Sequence, residues 1–242
     1  MSDFKSTTFV LKIFPRDAPE AVEPLAFLWV ERNENFEHDS QGVLKNAAFC
    51  ISFQQIKLTY PYISKRKTQF HAGYVNTQTG LVSLTSRSVT TGGFVVLEDT
   101  EFVGHGIGTF LMSKVVEWVK QWPEASVRSV HLDLGQAQIN NKERRNRFYE
   151  QLGLVFDYQD WEHNAGTSRH LLAHQLKIVD TWKQNITVLT MPQYLSIVLH
   201  EKEQNSQDIQ KLHRIVKRLE MENLRAKAKP VWTAIKTLYD RI

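Results

Sequence analysis

The 242-residue sequence has almost no cysteine and no long apolar run. The single cysteine, Cys50, excludes a disulfide framework within the chain and a metal site built on several thiolates. Because Cys50 lies in an apolar stretch, we expect it to pack as a small hydrophobic residue. His, Asp and Glu show no metal-ligand spacing, so we expect no metal cofactor. Without a run of about eighteen apolar residues or a signal-like start, the sequence predicts a soluble, cytoplasmic protein.

Positive charge is in mild excess, with a formal net charge of +4, and it is unevenly placed. Basic residues gather at residues 65–67, at residues 142–147 and in the tail after Glu201. Such groups are usually solvated faces, and the alternative is a surface for an anionic partner. Aromatic residues are not interleaved with them, so nucleic-acid binding is only weakly supported.

Alternating glycines mark the middle of the chain, in the stretch Val103-Gly104-His105-Gly106-Ile107-Gly108. An apolar run at residues 94–97 predicts a buried strand before it, and residues 107–122 have the apolar spacing of a helix. A strand, a glycine turn and a helix start gather free backbone N–H groups at the positive end of a helix dipole. This arrangement suits a phosphate or pyrophosphate, and the alternative is a tight connection that binds nothing.

The glycine turn lacks the G-x-G-x-x-G spacing of a dinucleotide site and the Gly-Lys-Ser/Thr of a triphosphate loop. It resembles the acetyl-CoA signature of the GNAT superfamily of N-acetyltransferases, Arg/Gln-x-x-Gly-x-Gly/Ala. Gly106 and Gly108 match the two small positions, whereas Val103 stands where the family usually has Arg or Gln. Residues 146–156, Asn-Arg-Phe-Tyr-Glu-Gln-Leu-Gly-Leu-Val-Phe, are similar to the family's closing helix and the strand after it. The resemblance covers residues 45–176.

The resemblance implies a site for acetyl-CoA and a set of catalytic roles. The predicted pyrophosphate cradle is the backbone of six consecutive residues, Gly104, His105, Gly106, Ile107, Gly108 and Thr109. His105 is expected to contact phosphate, and a main-chain N–H near Leu97 or Glu98 to bind the thioester oxygen. Tyr149 matches the family tyrosine that protonates the leaving thiolate; the alternative is an aromatic on the apolar face of a helix. Glu98 and then Asp133 are the candidate bases for the amine proton, unless both are ordinary surface carboxylates.

The element pattern predicts an α/β (α+β) fold, with a mixed, mostly antiparallel sheet flanked by helices. The resemblance implies the same arrangement. The predicted elements are a strand at 9–14, a helix at 19–34, a loop at 33–45, a strand at 47–58, a hairpin at 71–85, a strand at 127–134, a helix at 139–152, and strands at 154–158 and 170–179. We predict one domain over residues 1–180.

Residues 181–242 predict a helical extension, with helices at 192–204 and 208–229. Within the second helix, alternating spacings of three and four residues form a heptad seam, at Ile209, Leu212, Val216, Leu219, Asn223 and Ala226. Asn223 falls at an a position, where paired asparagines fix the register of parallel dimers. Two interpretations remain open, namely a short coiled coil that makes a homodimer and a single amphipathic helix that packs on the core.

The sequence therefore predicts an N-acetyltransferase that moves an acetyl group from acetyl-CoA directly to a primary amine. The acceptor is not identified, although the basic groups favour an amine on an anionic carrier. A protein of the same fold that has lost catalysis is the alternative. It would bind a macromolecular partner through the basic groups and the helical tail, and the valine at position 103 motivates it.

Overall fold

The computed structural model describes residues 2–17, 23–56, 68–89, 102–137, 141–228 and 239. The strands are β1 Ser2–Ile13, β2 Ala26–His38, β3 Leu44–Ile56, β4 Thr68–Val75, β5 Leu81–Ser83, β6 Ser126–Val127, β7 His131–Leu132, β8 Phe156–Tyr158, β9 Gly166–Ser168 and β10 Ile186–Leu189. The helices are α1 Ile107–Val119, α2 Lys142–Glu150 and α3 Met191–Ala228. The architecture is mixed α and β with a large, mostly antiparallel sheet, as predicted at this level. The chain divides into two compact units, Met1–Met191 and Pro192–Ile242.

Seven strands form the main sheet, in the order β10-β1-β2-β3-β4-β5-β6. Its neighbours are antiparallel except β5 and β6, which pair in parallel with Leu81 opposite Ser126. A separate three-stranded antiparallel sheet has the order β7-β9-β8. The single strand predicted at 127–134 is therefore wrong, because β6 belongs to the first sheet and β7 to the second. The predicted strand at 94–97 lies outside the described residues.

Helix α1 packs on β3 and β4 of the main sheet. Ten of its thirteen residues are buried. The Trp118 ring lies 5.4 Å from the ring of Phe49 on β3, measured between centroids. A helix that is apolar on most sides belongs inside a core. The start of α1, where the glycine turn lies, is thereby held against the sheet.

The helix predicted at 19–34 is wrong, because residues 26–38 form β2. This strand pairs with β1 from Ser2 to Ile13 and with β3 from Leu44 to Ile56. The apolar run that starts β2 is short, and such a run fits a helical and a buried-strand pattern equally well. Pairing along two neighbouring strands decides between them. Most of the loop predicted at 33–45 is consequently strand, with a turn only at residues 39–43.

The strand predicted at 170–179 is also wrong. That segment holds a 3-10 turn at Ala173–Gln175 and an isolated bridge from Leu172 to Ser126. The chain instead returns to the main sheet later, where β10 pairs with residues 10–13 of β1. Sheet structure thus continues past residue 180, and the first compact unit ends at Met191.

Several predicted elements are confirmed. Strand β3 contains the buried, free Cys50, and β4 and β5 form the predicted hairpin. Helix α2 and strand β8 lie within the ranges predicted for them. The two tail helices are instead one continuous helix, α3, because no glycine or proline occurs between Pro192 and Ala228. No helix in the described part of the chain is long and apolar enough to cross a membrane.

Candidate functional site

The glycine turn leads from Phe102 directly into α1. Gly104 and Gly106 have φ angles of +91° and +79°. Residues with a side chain rarely adopt this left-handed backbone conformation, so glycine is strongly favoured at both positions. The N–H of His105 donates to the carbonyl of Phe102 at 3.3 Å and closes the turn. The backbone conformation of the turn therefore explains the glycines at positions 104 and 106.

The N-terminus of α1 lacks a side-chain cap, because its N-cap residue is Gly106. No acidic residue lies in its first turn. The carbonyl of Gly106 accepts from Phe110 at 2.9 Å, which is the first bond of the helix. The N–H groups of the first turn precede the regular helical ladder, and the helix dipole makes their end positive. This end of α1 is chemically suited to an anion.

The turn has a packed side and an open side. A Cβ added at Gly106 would lie 3.4 Å from Cα of Trp182 and 3.6 Å from Oδ1 of Asn185. A Cβ added at Gly104 would meet no atom of the described residues within 4 Å. Asn185 Nδ2 also donates to the carbonyl of His105 at 2.9 Å and to that of Phe14 at 3.1 Å. The protein supports the turn from the side of Gly106, and no described residue packs against the other side at Gly104.

Two buried ring nitrogens beside the turn have no hydrogen-bond partner among the residues that the structure describes. They are Nδ1 of His105 and Nε1 of Trp182. A buried polar atom without a partner is rare and requires an explanation. His105 is itself part of the turn, so a polar ligand at this place would supply the missing partner for its ring. This observation, like the open side at Gly104, fits a bound phosphate group.

Tyr149 lies on α2 and is buried in the core, with 5% of its surface exposed. Its ring packs edge-on against Phe148 at 5.1 Å and against Phe156 of β8 at 6.2 Å, measured between centroids. The core that contains Tyr149 also contains Ile107, the first residue of α1. The packing role weighed for Tyr149 is therefore present, and the same core connects α2 to the glycine turn.

Arg145 is not part of an exposed basic cluster, contrary to one interpretation of residues 142–147. Its guanidinium is buried and donates to the carbonyl of Asp133 at 2.6 Å and to that of Asn164 at 2.7 Å. Burial lowers the pKa of Arg145, and neighbouring Tyr158 and Asp133 oppose that effect. The neighbouring Asn146 donates to the carbonyl of His163 at 3.0 Å. Arg145 and Asn146 fix the loop between β8 and β9, and nothing in the sequence distinguishes Arg145 from the exposed Arg144 and Arg147.

Other predicted site residues stand apart from this arrangement. Leu97 and Glu98 lie outside the described residues, as do the basic residues 65–67. Asp133 is exposed, and its Oδ1 accepts the N–H of Gly135 at 2.6 Å. Val103 is half-buried, and Thr109 is half-buried on α1. Trp182 and Asn185, which support the turn, were not anticipated, since they follow it by about eighty residues.

Within the described ranges, no group of three or more His, Cys, Asp or Glu side chains could hold a metal ion. Comparison with protein-family models found no match. Searches of curated proteins and of solved structures returned no match either. The resemblance to acetyltransferases therefore rests on the residues of the glycine turn and of α2.

Proposed function

We propose that this protein is an N-acetyltransferase of the GNAT type, which transfers an acetyl group from acetyl-CoA to a primary amine. The observation that carries the proposal is the turn at Gly104 and Gly106, which opens into the uncapped N-terminus of α1. Helix N-termini of this kind bind phosphate through backbone N–H groups. The pyrophosphate of acetyl-CoA is a ligand of that chemistry.

The residues of the turn fit such a ligand. No described residue lies within 4 Å of a Cβ built at Gly104, where a side chain would obstruct the backbone, and Asn185 and Trp182 hold the turn from the other side. The buried Nδ1 of His105 has no hydrogen-bond partner among the described residues, and a phosphate oxygen in the turn would supply one. A valine at position 103 adds no polar contact, so binding relies on the backbone and His105.

The reaction requires two proton movements. The amine nitrogen attacks the thioester carbonyl, a C–N bond forms, the C–S bond breaks, and the amine loses a proton while the thiolate gains one. We assign the proton donor to the hydroxyl of Tyr149, because this residue stands at the place of the family tyrosine in the Phe-Tyr-Glu-Gln-Leu-Gly stretch. Glu98 is the proposed base and the N–H of Leu97 the proposed oxyanion donor, on sequence grounds alone.

The first experiment measures binding. Excess acetyl-CoA at a hundredfold over its dissociation constant should stabilise the protein by about 2.7 kcal/mol, so the melting temperature should rise. S-acetylpantetheine, which lacks the pyrophosphate, and free CoA, which lacks the acetyl group, serve as controls for the contributions of those two groups. An unchanged melting temperature would favour the alternative, a protein of this fold that binds a macromolecule. The exposed apolar face of α3 supports that alternative.

The second experiment tests the proton donor. A screen of amines for release of the CoA thiol identifies an acceptor, and Tyr149→Phe is then compared with Tyr158→Phe. General acid catalysis contributes typically about 10²–10⁴-fold, so kcat should fall by that factor in Tyr149→Phe. Tyr158 is a matched control, since its hydroxyl donates to Glu150 at 2.6 Å on an exposed surface. Full activity of Tyr149→Phe would leave Tyr149 with a packing role only.

A further inference from the structure

Most of the described length of helix α3 is exposed. Every described side chain from Leu199 to Ala228 is exposed, over a helix length of about 45 Å. Large apolar side chains on this part of α3 are 47% to 63% exposed, among them Ile209, Leu212, Ile215, Val216 and Leu219. Clustered apolar surface of this kind marks an interaction site. A long helix in water also needs packing of its apolar side for most of its stability.

Part of this apolar surface forms a narrow stripe along the helix, which we call the seam; Ile215, Met221 and Leu224 lie outside it. Its members alternate between a and d positions of a heptad, and they are Ile209, Leu212, Val216, Leu219, Asn223 and Ala226. An a/d stripe is the pattern of a coiled coil, whereas a helix that faces a protein core usually has a wider apolar face. The expected partner of the seam is therefore another helix with the same period.

We propose that the seam of α3 docks on the seam of a second copy of this chain, as a parallel, in-register, two-stranded coiled coil. Asn223 determines the orientation. In the parallel pairing the Asn223 amides of the two copies face each other and hydrogen-bond. An antiparallel pairing that aligns the apolar layers would place Asn223 opposite Leu212, where its amide would be buried without a partner. This inference does not depend on the proposed enzymatic function.

The charges beside the seam are complementary to a second copy. In a parallel pair, a g residue faces the e residue five positions later on the other helix. Glu222 then faces Lys227 of the second copy, and Asp208 faces His213, each twice by symmetry. Within one helix, Asp208 pairs with the exposed Lys211 at 2.9 Å, and Glu222 pairs with the exposed Arg218 at 3.8 Å. Exposed pairs of this type are weak, so these carboxylates are able to exchange partners.

Association is tested with the full-length chain by sedimentation over a dilution series. The wild type should have twice the monomer mass at high concentration. Leu219→Glu should weaken association by roughly 100-fold or more, because it buries an unpaired charge in the seam. Leu224→Glu is the matched control: Leu224 is equally exposed but lies outside the seam, so this variant should stay dimeric. Circular dichroism should show less helix in Leu219→Glu than in the other two proteins, because α3 then loses the packing of its apolar side.

A monomer at every concentration, a threefold mass, or equal dimerisation of Leu219→Glu and Leu224→Glu would each overturn the proposal. Orientation is read from spin labels at Arg225→Cys, since the native Cys50 is buried. Labels of the two copies should lie side by side in the parallel dimer, and an antiparallel dimer would separate them by about 22 Å along the axis. In a second variant, Asn223→Leu, association should be stronger, and the longer label-to-label distance of the antiparallel dimer should appear beside the short one. A long distance between the labels in the protein that keeps Asn223 would overturn the parallel orientation.

Discussion

Helices α1 and α3 have similar apolar spacing in the sequence and opposite surroundings in the structure. Ten of the thirteen residues of α1 are buried. Every described side chain of α3 from Leu199 onward is exposed. Spacing of three and four residues therefore predicts a helix with an apolar face, but it does not predict what covers that face. For α1 the cover is the main sheet, and for α3 we propose a second chain.

The sharpest test of this difference compares the same substitution in both helices. Leu111→Ala in α1 removes a fully buried side chain and should lower the free energy of unfolding by about 2–5 kcal/mol. Leu212→Ala in α3, studied below the concentration of association, should change it by less than about 0.5 kcal/mol. Urea denaturation followed by tryptophan fluorescence measures both. Equal effects would mean that Leu212 is covered within a single chain.

Buried and exposed arginines extend the comparison to charge. Arg145→Ala leaves the carbonyls of Asp133 and Asn164 without a donor and should cost about 2–3 kcal/mol. Arg218→Ala in α3 removes an exposed pair with Glu222 and should cost less than about 0.5 kcal/mol. The same denaturation measurement applies. A negligible effect at Arg145 would contradict its role in fixing the loop between β8 and β9.

The start of α1 provides a comparison between two glycines. Alanine at Gly104 or Gly106 should cost about 1–2 kcal/mol through the positive φ angle. A Cβ at Gly106 would lie at ordinary van der Waals distance from Trp182, so the two variants should be destabilised by similar amounts. Thermal melting of the two variants compares them. A much larger loss in Gly106→Ala would show that Trp182 does not accommodate the added methyl group.

The smallest expected effect is a shift in titration on β4. Burial and then the charge of Arg87 lower the pKa of His71 from its ordinary value of 6.5. Because the folded state favours the neutral ring, which accepts from Nε of Arg87 at 3.0 Å, this contribution to stability is complete above pH 6.5 and is lost as the pH falls below it. Proton NMR titration of His71 measures the shift. Arg87→Gln should raise the pKa of His71, and an unchanged value would leave burial as the sole cause.

Local patterns predicted the glycine turn, α1, α2 and the β4–β5 hairpin, because each depends on nearby residues. Strand β2 was mistaken for a helix, since its apolar run is short and only pairing with β1 and β3 identifies it. The supports of the turn were not predictable for a similar reason. Asn185 reaches His105 across 80 residues, and no local rule connects such positions. The burial of Arg145 likewise depends on a loop that follows it in the chain.

The pairing of β10 with β1 has a consequence for the order in which the chain is made. The side-chain amide of Asn185, just before β10, donates a hydrogen bond to the carbonyl of Phe14, 171 residues earlier. At typical synthesis rates of about 5–20 residues per second, roughly 10–35 s pass between the synthesis of β1 and that of Asn185. Its outer edge at residues 10–13 is unpaired with β10 during that time. Completion of the first unit is therefore delayed until nearly all of its residues have been synthesised, and such long-range closure slows folding.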